Sequence, residues 1–231
     1  MNPLWTRSWL ECRPRFMMSG LLTAVLALNA VVMMAEGEIA GQLDYWEAMS
    51  FILFGVLLPT SALLLAGAGI NIQSNSGFTQ GLHPSTSFLL SLPATRAQLL
   101  FTRAATGGIL LLLWILVSFP LLLAIASFLN KPLPPEPLRL LPFLLLAALF
   151  YYSLWVLIAA RFDEIWSSTI AMTIIGAIAG YSMAGGPGWF NMIAFMKGEN
   201  GHHQLPQTLF CLAASILFFR LTLTILRKRE F

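Results

Sequence analysis

Charged residues make up only 10% of this 231-residue sequence, well under the roughly 25% usual in soluble domains. So little charge cannot wet a globular surface, and the 58% hydrophobic content excludes a soluble domain. Mean hydropathy is +0.77. Cysteine is nearly missing too. Cys12 lies in a basic stretch and Cys211 inside the last apolar run, which argues against a mutual disulfide, and no CxxC pair for zinc or redox chemistry occurs. The three histidines, His83, His202 and His203, stand outside the apolar runs. His202 and His203 read as solvated loop residues, so no metal site is expected. No serine–histidine pair, aspartate pair or metal motif falls within an apolar run, which leaves no catalytic residue to nominate. No GxxxxGK[ST] occurs, so the chain has no P-loop for ATP phosphates and is not expected to be an enzyme. The middles of the apolar runs are uncharged, against an ion-coupled carrier. The net charge of +3 comes from basic residues at the ends of runs. They form no patch with interleaved aromatics, so nucleic acid is not an expected partner.

What remains is long apolar runs. They fall near residues 16–35, 46–70, 104–129, 140–160, 165–184 and 207–226, each about the length a helix needs to cross roughly 30 Å of hydrocarbon. The expected fold is therefore an all-α integral membrane protein with six transmembrane helices, a single membrane domain over residues 1–231 in contact with lipid. The first run is too long for a signal-peptide core and reads as an uncleaved helix. Of the 13 Lys+Arg residues, only Lys131, Arg139 and Lys197 fall on the side opposite the termini. That bias places both termini in the cytoplasm. Asp163 and Glu164, in the tight turn after the fourth run, suit capping of the fifth helix. Pro59 and Pro120 are expected to kink the second and third helices.

Three segments are more than spans. Residues 2–15 carry Trp5 and Trp9 beside Arg7 and Arg13. They suit either a short elbow helix lying in the headgroup layer or an ordinary anchoring flank with interfacial tryptophans. Residues 185–206 are too apolar for a solvated outer loop and predict a re-entrant segment. The longest cytoplasmic connection, 71–103, has its own grammar. Pro84 opens a short helix through Ser85, Phe88, Leu89 and Leu92, and Pro93 ends it. Thr95 and Gln98 then form a capping box that starts a new helix, with Arg96 and Arg103 seven apart on one face. A helix from residue 95 to 129 would run about 52 Å and project beyond the bilayer core.

The stretch FLLSLPATR over residues 88–96, followed by QLLFTR up to Arg103, resembles the LLSLPVSR…LL..R run of ABC-2 type transporter permeases, the membrane subunits of ATP-binding cassette exporters. The likeness extends loosely over the whole chain. It implies a coupling helix between spans two and three, carrying Pro84, Ser85, Phe88, Leu89, Leu92, Pro93, Arg96 and Arg103 as docking residues for a separate ATPase. It also implies that ATP and magnesium are bound by that partner, that a second permease copy or paralogue completes the pathway, and that the home is a bacterial inner membrane. Upstream the chain departs from the pattern, with Asn71, Gln73, Ser74, Asn75, Ser76 and Gly77 where relatives often carry acids with a glycine. The alternative reading is an ATP-independent channel or carrier, or a membrane assembly factor. Gly176 and Gly180 form a small-xxx-small face, expected to admit a close helix neighbour within the chain or across a dimer.

Overall fold

The computed structural model describes residues 3–35, 51–66, 73–76, 79–82, 95–128, 137–162, 164–184, 191–199 and 201–228. These residues are almost entirely helical. Helix α1 covers Pro3–Ala35, α2 covers Phe51–Ala66, α3 Arg96–Phe128, α4 Pro137–Arg161, α5 Glu164–Met183, α6 Met192–Met196 and α7 Gln204–Lys228. Among the described residues, four helical stretches are long and apolar enough to cross a membrane: Phe101–Phe128, Pro137–Arg161, Ile165–Ser182 and Gly201–Ile225. This is a membrane protein. Helix α2 is apolar throughout but shorter as described, and the residues around it lie outside the described set.

Helix α4 is the axis of the bundle. Its Ala147, Ala148, Ser153, Ala159 and Ala160 are buried, and small side chains let α2, α3, α5 and α7 approach it. In lipid no hydrophobic force draws helices together, so such close packing and its dispersion contacts hold the bundle. The large fully buried side chains Tyr151 and Trp155 fill the remaining space, their rings stacked with centroids 6.1 Å apart. Both buried indole N–H groups find an acceptor. Trp155 Nε1 donates to the Pro59 carbonyl at 3.1 Å, and Trp114 Nε1 to Thr23 Oγ1 at 2.9 Å.

The N-terminal region differs from the expected elbow. Helix α1 is one run of 33 residues, with Pro14 inside it, so the segment carrying Trp5, Arg7, Trp9 and Arg13 continues the first apolar run rather than folding away from it. Packing explains the difference. Ser8, Cys12, Ser19 and Thr23 are all buried, at spacings of three or four residues or their sum, a stripe of small side chains facing α3. Contacts of Glu11 with Arg103 and of Thr23 with Trp114 show the two helices running in the same direction. Because α3 extends beyond its apolar portion, α1 has a helical partner along its first turns and follows it. Trp5, Trp9 and Arg13 stay on the outer face.

The predicted start of α3 is present. Gln98 N donates to Thr95 Oγ1 at 3.2 Å and Thr95 N to Gln98 Oε1 at 3.0 Å, the reciprocal capping box. Within the long connection the structure adds an antiparallel two-stranded ribbon, β1 at Gln73–Ser76 and β2 at Thr79–Leu82, with β1 beside α5. The segment between α5 and α7 carries α6, capped by Asn191, whose side chain accepts from Ala194 N at 2.9 Å. Met192, Phe195 and Met196 are buried against α2, α4 and α5, and Gln204 Nε2 ties the Phe195 carbonyl to the start of α7 at 2.9 Å.

Candidate functional site

Four helices, α1 to α4, converge where α2 ends and α3 rises past it, and here the described part of the bundle concentrates its buried charge. Arg103 Nη2 lies 3.2 Å from Glu11 Oε2, with side-chain exposures of 9% and 15%. One turn along α1, Arg15 Nη1 reaches the Leu64 carbonyl near the end of α2 in a long contact of 3.5 Å. On α4, Tyr152 Oη donates to the Ala104 carbonyl at 2.8 Å. Gly107 sits at the centre. A Cβ there would meet the Leu65 carbonyl oxygen at 2.9 Å and overlap Tyr152 Oη. Only glycine lets α2, α3 and α4 close at this level.

Cys12 is buried beside the ion pair, 1% exposed. Burial pushes its thiol up to about 11, and the nearby Arg15 and Arg103 offset only part of that shift. The thiol is therefore neutral at physiological pH and packs as a small apolar group rather than acting as a nucleophile. Within this cluster α1 holds the end of α2 through Arg15 and the start of α3 through Glu11. Those two ends are the roots of the long connection between α2 and α3.

The sequence-predicted docking residues are distributed unevenly. Pro84, Ser85, Phe88, Leu89, Leu92 and Pro93 lie outside the described residues. Arg96 is the first residue of α3. Arg103 is 8% exposed, and its guanidinium meets Glu11 within the chain. Gly176 and Gly180 lie off the packed interior, and a Cβ on either would meet nothing within 4 Å. The neighbouring Ala179 is the buried position, 8% exposed. The helix presents Gly180 outward because its inward stripe runs through Ala171, Ile175 and Ala179. Among the described residues no group of three metal-binding side chains of the His, Cys, Asp or Glu type occurs.

No protein-family profile, curated protein or solved structure matches the chain.

Glu11, Arg15, Gly107 and Tyr152 carry this cluster although no sequence motif points to them. One signal is present: Glu11 is the only acidic residue in an otherwise basic first 35 residues. A lone acid among arginines at the foot of an apolar helix calls for a partner.

Leucine scanning separates the two neighbours on α5. Ala179→Leu forces a larger side chain into a closed interface and should lower the melting temperature of the isolated chain, at a cost of about 1–3 kcal/mol. Gly180→Leu should hold or raise that temperature, since leucine is the better helix former on an open face, and reduce assembly of a higher oligomer, read by size-exclusion chromatography with light scattering. Equal melting temperatures for the two variants would contradict the inward stripe.

Proposed function

We propose that this chain is the permease subunit of an ABC-2-like exporter, working with a separate ATPase and a second permease. The observation that carries the reading is the clamp of Glu11, Arg15, Arg103 and Gly107, which roots both ends of the long cytoplasmic connection in one packed junction. A push on that connection from a cytoplasmic motor would reach α1, α2, α3 and α4 together. The motor holds ATP and magnesium, and the short segment around Ser85, Phe88 and Leu92 docks on it. Both termini and the ribbon of β1 and β2 lie in the cytoplasm, and α6 closes the outer end.

The exposed faces of the helices support a paired assembly. Those of α3 and α7 are built from Leu, Ile, Val and Phe, among them Leu112, Leu116, Val117, Leu209, Ile216 and Leu217, as lipid contact requires. The exposed side of α5 mixes Ile165, Trp166, Met172 and Tyr181 with Ser168, Thr169, Thr173, Gly176, Ala177 and Gly180. Thr169 and Thr173 return their hydroxyls to the Ile165 and Thr169 carbonyls, at 2.9 Å each. Such a face suits a pathway wall or a second permease better than acyl chains, and an apolar or amphipathic cargo fits its mixed lining.

Affinity purification from native membranes tests the reading. An ATPase should arrive in equal ratio, and Phe88→Asp should release it while the permease stays inserted, because a charge buried in an apolar groove costs several kcal/mol. Recovery without any ATPase would favour a channel, carrier or assembly factor. Impermeant thiol reagents applied from outside should label a cysteine at Asn200 and spare one at Ser76. The native Cys12 and Cys211 are buried and give low background.

A further inference from the structure

Helix α7 carries one charge within its membrane-spanning stretch. Arg220 is the only Asp, Glu, Lys or Arg between Gly201 and Ile225. It is exposed, on the side of the helix that also presents Leu209, Leu212, Ile216, Leu217 and Leu221. A guanidinium among acyl-facing side chains costs free energy unless it extends to the polar boundary and meets an anion there. Neither Arg220 nor the exposed Arg13 of α1 has an ion-pair partner among the described residues.

Arg13 shows independently where that boundary lies. It stands one turn beyond Trp9 on α1, and Trp5 and Trp9 are both exposed, as tryptophans at a membrane interface are. Beyond Arg13 the exposed residues turn apolar, with Met17, Met18 and Leu21. A chain of contacts puts Arg13 and Arg220 at one height. Arg103 meets Glu11, two residues before Arg13. Tyr152 donates to the carbonyl of Ala104, next to Arg103, and its ring centroid lies 6.5 Å from that of Phe219, next to Arg220. Two separate helices thus change from apolar to cationic at the same level, as they would at a plane of lipid headgroups.

We infer that Arg220 and Arg13 each seat the phosphate of an anionic phospholipid in the leaflet at this end of the bundle. The acyl chains run over Ile216 and Leu217 on α7 and over Met17 and Leu21 on α1. A guanidinium fork offers two parallel N–H groups to the phosphate oxygens. Charge selects the lipid: a zwitterionic headgroup brings its own cation and gains less from an unpaired arginine. A second copy of the chain is the weaker occupant, because it has no acid to offer. The seven helices contain two acids, Glu11 and Glu164. Glu11 is taken up by Arg103, and Glu164 is the first residue of α5, where it complements that helix's own positive end. The inference needs only that α1 and α7 stand in a membrane, and it rests on no transport reading.

Native mass spectrometry of the full chain, released from mixed micelles holding phosphatidylglycerol and phosphatidylcholine in equal amounts, tests the assignment. The parent chain should retain phosphatidylglycerol in preference. Arg220→Gln and Arg13→Gln should each lower that preference about fivefold, the factor for one basic residue at an anionic surface. Arg220→Lys keeps the charge and should keep most of the preference. At about 0.15 M ionic strength a solvated charge is screened, so Lys228→Gln, which removes a charge from the end of the same helix, should have a much smaller effect. A loss in Lys228→Gln equal to that in Arg220→Gln would reduce the lipid to a diffuse counterion and overturn the site. An unchanged preference in either Arg220→Gln or Arg13→Gln would overturn it too, leaving the guanidinium to a carboxylate of another protein. Displacement of the lipid by added inorganic phosphate would do the same, since phosphate alone would then be the ligand. Should Arg220→Gln not fold, Arg220→Leu, which suits the apolar face, takes its place in each comparison.

Discussion

Glu11→Leu should destabilise the purified chain by about 3–5 kcal/mol, since it leaves the Arg103 guanidinium largely buried without its carboxylate. For a chain of this size that is a fall in melting temperature on the order of 10 °C. Arg103→Leu should cost a similar amount by stranding Glu11. The informative variant is the double one. With both charges replaced by leucine no buried ion remains, so the pair of changes should cost far less than the sum of the two, and the surplus is the coupling energy of the bridge. If each single change costs less than about 1 kcal/mol, water screens the pair and the clamp holds nothing. The double variant also divides structure from function. It should fold, yet under the transport reading it should lose coupling, because leucine contacts slide where a hydrogen-bonded ion pair fixes register.

How much of this is legible in the sequence depends on how local the determinants are. The capping box of Thr95 and Gln98 involves two residues three apart and can be read directly. The ends of α4, α5 and α7 fall within a few residues of the apolar runs, because hydrophobic length alone decides them. The continuity of α1 cannot be read. Pro14 and the arginines around it suggest a break, while the contact that carries the helix through joins Glu11 to a residue 92 positions away. Winding in α2, π over Phe51–Leu57 and α over Leu58–Ala66, is equally hidden, because an all-apolar stretch has the same pattern whether it turns as α or π; Pro59 hints at an interruption but not at its form. The ribbon of β1 and β2 escapes a search for apolar alternation because its strands are polar, although Gly77 between them is a hairpin signal. The outward position of Gly176 and Gly180 within the chain is hidden as well. Spacing identifies a small-residue face but not which way it points, and the inward direction is set by Ala171, Ile175 and Ala179.

The cluster therefore rests on contacts between distant segments, and Gly107 is the position at which they can be tested most sharply. Gly107→Ala should destabilise the chain, even though alanine is the better helix former by about 1 kcal/mol. The added carbon would lie 2.9 Å from the Leu65 carbonyl oxygen, a backbone atom that moves only if α2 moves, and it would overlap the hydroxyl of Tyr152. Overpacking of this kind costs about 1–3 kcal/mol, and displacing Tyr152 from the Ala104 carbonyl adds roughly another 1 kcal/mol. Crowding thus outweighs propensity. Gly180→Ala supplies the control with the opposite sign: the same change on an outward face, with nothing within 4 Å, should raise stability by up to about 1 kcal/mol. Tyr152→Phe in the Gly107→Ala background removes the overlapping hydroxyl but not the carbonyl, so it should restore only part of the loss. Full restoration would assign the whole constraint to Tyr152 and free α2 from the junction. If instead Gly107→Ala were as stabilising as Gly180→Ala, α2, α3 and α4 would not close on one another here, and a push on the connection between α2 and α3 would have no common root through which to reach them.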